Sequence, residues 1–257
     1  FFFEEIMLLT LPKDVVLEIS DFVQSVQLSR VCRTTYFVLQ RRHVHLDSKR
    51  LGSALSTSDV LHTSLDMISL GSLILNLACS KFGPSEAEGL GALGSATSLH
   101  TLHLNLRHNR VGDVGVEHVV VVARARHLQS LWLDLSFNDV TDAGAHVLST
   151  LKGALSLRSL TLLLVENRVG DQGAQALATM RQAPLLRKLV LNLACNSLKN
   201  DGAHAMALFK ESPSLRILNL NLSSNKLGDQ AVEALCGLKD TPALHTLAID
   251  LSFNYVK

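Results

Sequence analysis

The chain has 257 residues, 47% of them hydrophobic, and a formal net charge of +1. That length can bury the core of one elongated domain or two compact ones, and the near-neutral balance excludes a general attraction to nucleic acid or anionic lipid. The longest apolar runs, such as VVVVA at 119–123, are too short to span a bilayer, so no membrane insertion is expected.

Residues 1–43 form the first predicted unit. Leu11 and Pro12 open it, and Val15, Val16, Ile19, Phe22 and Val23 follow at helical spacing before LSRVCRTTYFVL. A helical segment here could simply cap the core of whatever follows. The same residues resemble an F-box, the small helical module that docks on a Skp-type adaptor of a cullin ubiquitin ligase. Leu11 and Pro12 match its opening, Ile19 and Phe22 its apolar face, and Val31, Cys32 and Arg33 its VCR segment, with Tyr36 near the usual Trp. The link between EISDFV and LSRVCR is shorter than in that pattern, and its Asp-Pro and Trp are missing. The resemblance implies adaptor contacts through Leu11, Pro12, Ile19, Phe22 and Val31.

A different pattern begins at residue 44. Val44 and Leu46 stand 29 residues before Leu73 and Leu75, so VHLD is expected to be a first strand, followed by a looser Ser- and Gly-rich stretch. Downstream, Asn109, Asn138, Asn167, Asn196, Asn225 and Asn254 recur every 29 residues, with Ser80 in the equivalent place upstream. Three, five, seven and ten residues before each lie four apolar columns. Of their 28 positions only Ile249 is not leucine. Alternate leucines aim one face of a short strand inward, and after each Asn the spacing turns helical, as in Ala145, Leu148 and Leu151. Asp113, Asp142, Asp171, Asn200 and Asp229 fall where an N-cap to the same helix is expected. Each motif Asn is expected to satisfy backbone groups of its own turn and the adjacent one. One strand and one helix cannot bury these leucines alone. Stacking about seven to eight such units over 44–257 gives an α/β solenoid, a horseshoe with an inner parallel sheet and outer helices.

The pattern LxxLxLxLxxNxVGDxG resembles leucine-rich repeats of the ribonuclease-inhibitor-like type over residues 70–257. Its additional Leu-x pair predicts a longer inner strand than that type has. A helical module followed by such repeats resembles a ubiquitin-ligase receptor layout. This implies a protein–protein interaction module serving as substrate receptor of a Skp–cullin–F-box ligase, with a Skp-type adaptor and an unidentified target protein as partners. The alternative is a non-catalytic scaffold subunit of a large assembly; inhibitors and GTPase regulators on the same solenoid form a third class. The chain does not open with Met and stops three residues after a motif Asn, so an incomplete N-terminus and further repeats beyond residue 257 are expected.

No catalytic pattern emerges. GxSxG and HExxH are absent, and GPSEAEGLG lacks the Lys-Ser/Thr of a phosphate-binding loop. His43 and His45 would share a strand face, but without thiolate or carboxylate partners they read as a surface pair. No metal site, cofactor or enzymatic activity is expected. Cys32, Cys79, Cys195 and Cys236 form no CxxC pair and read as reduced, mostly buried thiols of an intracellular protein, cytoplasmic or nuclear, with an organellar setting left open. Side chains between the inward leucines should line the concave face. His103, Asn105, Arg107, Trp132 and Asp134 make its densest polar-aromatic cluster, and Leu163 adds an apolar patch beside it. Trp and Arg dominate interface energetics, which marks this cluster for a partner, although a covering segment would equally account for Trp132. The column Asn76, Asn105, Asp134, Asn192, Asn221 and Asp250 reads either as a ladder bonding across coils or as a ligand-reading row. Phe137, Phe253, Cys79 and Cys195 share one repeat position and are expected to fill the strand-to-helix corner.

Overall fold

A computed structural model of the protein describes residues 44–47, 71–91, 98–123 and 125–256. The F-box-like segment with Leu11, Pro12, Ile19, Phe22 and Val31 lies outside the described residues. Eight strands form one parallel sheet in chain order: β1 (Val44–Asp47), β2 (Ser72–Asn76), β3 (Thr101–Asn105), β4 (Ser130–Asp134), β5 (Ser159–Leu163), β6 (Lys188–Asn192), β7 (Ile217–Asn221) and β8 (Thr246–Asp250). Helices α1 (Pro84–Gly89), α2 (Gly112–Ala123), α3 (Asp142–Ser149), α4 (Asp171–Ala178), α5 (Asn200–Ala207) and α6 (Asp229–Cys236) make the second layer. From α3 onward each helix tightens into a short 3-10 turn before the next strand.

The register is the repeat length itself. Val44 pairs with Leu73, and Leu102 with Leu131, always 29 residues apart. Identical side chains therefore stack along the sheet, and the leucines meet in one continuous core. Leu104, Leu133 and Leu162 are fully buried. In β8 and just after it, Leu247, Ile249 and Leu251 are only half-buried. Each strand from β2 on is five residues long, so the expected lengthening takes another form. The inter-coil ladder continues past the strand, with Leu106 N–H donating to Asp134 O at 2.8 Å and His108 N–H to Ser136 O at 2.9 Å. It then closes at a residue in the left-handed region. Cys79, His108, Phe137, Glu166, Cys195, Ser224 and Phe253 all have φ between 52° and 59°, a conformation that costs a non-glycine residue about 1–3 kcal/mol.

That turn corrects the expectation for this column. It carries the side chain out of the core: Cys79 is exposed, Cys195 and Phe137 are half-buried, and Phe253 is 84% exposed. Cys236 is exposed as well, so the described cysteines are not mostly buried.

The turn is held by the Asn that follows. Asn109 Oδ1 accepts from Ser80 N–H at 2.9 Å and Phe82 N–H at 2.8 Å, and its Nδ2 donates to Leu77 O and Leu106 O. Asn225 likewise accepts from Leu198 N–H at 3.0 Å and donates to Leu193 O at 2.8 Å. Each Asn thus serves its own turn and the preceding coil, as its position predicted.

The aspartates behave differently from the expected caps. Asp142 and Asp171 are the first residues of their own helices, and their carboxylates serve the next one. Asp113 Oδ1 accepts from Thr141 N–H at 2.8 Å and Gly144 N–H at 2.9 Å. Asp142 Oδ1 accepts from Gly170 and Gly173 N–H at 2.6 and 2.9 Å, and Asp171 Oδ1 from Lys199 and Gly202 N–H at 2.8 and 2.9 Å. A negative charge at a helix start satisfies free amides and opposes the helix dipole. Here that charge comes from the coil before.

Candidate binding surface

Residues 103 and 132 face the same way because β3 and β4 pair at that rung. The His103 and Trp132 rings stack with centroids 3.8 Å apart and planes 25° apart. Past the strand ends, the left-handed turns bring His108 and Phe137 together in the same manner, at 4.0 Å and 23°. The Arg107 guanidinium carbon lies 4.6 Å from the Phe137 ring centroid. Stacked aromatic pairs and cation–π contacts contribute about 0.5–1.5 kcal/mol each. They hold this strip as a surface ordered before any partner arrives. Phe137 and His108 were missed as members of it. The signal was available, since both directly precede a motif Asn and must lie on neighbouring coils.

The middle column contributes support. Asn105 Oδ1 accepts from Arg107 N–H at 3.1 Å, and Asp134 Oδ1 from Ser136 N–H at 2.8 Å. Asn192, Asn221 and Asp250 do the same for residues 194, 223 and 252. Each side chain closes a turn within its own coil, which replaces the cross-coil ladder. Asp134 is only 5% exposed, and Arg107 lies over Phe137. Leu163 pairs with Asp134 and Asn192 on its two sides and is half-buried. Lacking an acceptor oxygen, it interrupts the row. The Ser136 hydroxyl is fully buried and without a hydrogen-bond partner among the described residues.

Among the described residues Asp250 is the carboxylate whose hydrogen bonds shift its titration. The Ser252 hydroxyl at 2.7 Å and the Ser252 amide at 2.9 Å both donate to it, holding its carboxyl below the ordinary value of 3.8. Among the described residues no His, Cys, Asp and Glu group is arranged to hold a metal ion, and no helix is long and apolar enough to cross a membrane.

A Leucine Rich repeat family signature matches residues 98–119, 125–149, 156–178 and 211–236. No curated protein matches the chain. Among solved structures, an internalin (inlF) from Listeria monocytogenes str. 4b F2365 is similar at 18% identity with a TM-score of 0.38, covering 84% of this chain and 62% of that one. Repeat, register and layer order together define a leucine-rich-repeat solenoid. Such repeats generally present an extended concave surface for binding other proteins.

Proposed function

We propose that the protein is a substrate receptor of a Skp–cullin–F-box ubiquitin ligase in an intracellular setting. Residues 1–43 would meet a Skp-type adaptor through Leu11, Pro12, Ile19, Phe22 and Val31, and the repeats from residue 44 on would hold a protein target. The observation supporting the target surface is the stacked His103–Trp132 pair, continued by Arg107, His108 and Phe137. Asn105 and Asp134 shape the backbone beneath it, and Leu163 supplies an apolar neighbour. The receptor contributes no chemistry of its own. It holds the target's lysines near a charged conjugating enzyme, where proximity accelerates transfer.

Purified Skp-type adaptor is expected to be retained by the wild-type chain and by Trp132→Ala, and lost with Leu11→Ala/Pro12→Ala. Target capture is expected to show the reverse dependence on Trp132. If the wild type retains no adaptor, the receptor reading fails and a scaffold subunit takes its place.

A further inference from the structure

The near-zero net charge conceals a division between the two edges of the solenoid. All strands run in parallel and each helix returns between them, so helix ends and strand starts share one edge. The turns on that edge (125–130, 150–159, 179–188, 208–217 and 237–246) carry nine lysines and arginines against two acids. Those on the opposite edge (106–116, 135–145, 164–174, 193–203 and 222–232) carry five against seven.

Helix dipoles explain only part of this. Lys152, Arg181, Lys210 and Lys239 stand at helix ends, where a cation opposes the dipole, and Arg181 also pairs with Glu211 at 3.1 Å. Arg158, Arg187 and Arg216 stand at strand starts, where no helix ends. Their backbones are bonded in series, Arg187 N–H to Arg158 O and Arg216 N–H to Arg187 O, each at 2.8 Å. Three exposed arginines thereby leave backbones about one strand spacing, ~4.8 Å, apart, which puts like charges on neighbouring coils. No described carboxylate forms an ion pair with any of them; among the described residues the Arg216 guanidinium donates to the Ala243 carbonyl. Between the two cation rows, at the turn tips, stand Leu155 at 72% and Leu185 at 42% exposure. Among the described residues no Phe, Tyr or Trp is exposed on these turns, and the exposed rings are His127 and His245 on the first and last of them, so no row of rings runs along the edge to stack successive nucleobases.

We propose that this edge docks on an anionic membrane surface, with the arginines and lysines over lipid headgroups and Leu155 and Leu185 at the headgroup boundary. Cations in two rows with protruding aliphatics between them match a broad, deformable negative surface. An acidic peptide would need a groove, and a nucleic acid would gain nothing from the leucines. The proposal uses neither the concave strip nor residues 1–43, so it stands or falls separately from the receptor reading.

The test is co-sedimentation of the full chain with phosphatidylcholine vesicles containing about one-third phosphatidylserine, against phosphatidylcholine alone. Expected is an affinity about tenfold higher for the anionic vesicles. It should fall about tenfold in Arg158→Gln/Arg187→Gln/Arg216→Gln and further in the Glu triple variant. It should fall several-fold in Leu155→Ser/Leu185→Ser, with circular dichroism unchanged throughout. Equal binding to both lipids, or undiminished binding by the Gln and Glu variants, overturns the proposal. So does tighter binding to poly-glutamate or duplex RNA that ignores the leucine substitutions, which would give the edge to another class of partner.

Discussion

The joints α2–α3, α3–α4 and α4–α5 differ from α5–α6, and the difference explains the GDxG spacing. In the first three, one carboxylate oxygen accepts both the amide before the next helix and the amide of a glycine three residues further on. In the fourth, Asn200 Oδ1 takes only Gly228 N–H at 2.8 Å, its Nδ2 donates to Gln230, and Ala231 N–H turns to Gly228 O. A Cβ on Gly173 would stand 2.6 Å from Asp142 Oδ1 and 2.7 Å from Val169 Cγ1, and one on Gly202 would stand 2.6 Å from Asp171 Oδ1. A doubly accepting carboxylate and a side chain opposite it exclude each other. The Asp of one coil and the Gly of the next are one device divided between two repeats.

Experiments can break this comparison at decreasing cost, with urea midpoints followed through the fluorescence of Trp132, the single tryptophan. Leu162→Ala removes core that every joint shares and is expected to cost about 2–5 kcal/mol. Gly173→Ala should cost about 1–3 kcal/mol through overpacking against Asp142. Asp142→Ala should cost about 1–2 kcal/mol, more than Asn200→Ala. Equal losses at 142 and 200 would mean the second hydrogen bond contributes nothing. Converting the fourth joint sharpens the test. Asn200→Asp with Ala231→Gly should be more stable than the two single changes summed, by about 1 kcal/mol of coupling. The smallest effect concerns pH. The Asp250 carboxyl lies below 3.8, so its contribution is present above that value and lost as pH falls through the lower folded value. Ser252→Ala should move the Asp250 titration, followed by carboxyl NMR, back toward 3.8.

Much of this architecture was legible because it repeats. The 29-residue leucine and asparagine columns carry register and core directly, since the burial pattern and the strand pairing depend on the same residues. Asp142 was readable as a cap but not as the cap of α4, because a partner 28 to 31 residues away lies beyond any pattern within one helix. The middle column misled for a related reason. Asn105 and Asn192 recur with the coil, yet their bonds reach only two residues ahead. The repeat position of His108 and Phe137 put them on neighbouring coils, but the left-handed backbone that turns both rings outward is not announced by composition. Whole-chain charge averaged away the contrast between the edges.

The two polar series run in opposite senses along the chain: motif asparagines reach back one coil, helix-start aspartates reach forward one. A coil in the middle of the stack is consequently clasped by both neighbours. Detaching it strands amides on its successor's helix and carbonyls on its predecessor's turn at once, so heat should release long contiguous blocks rather than single units.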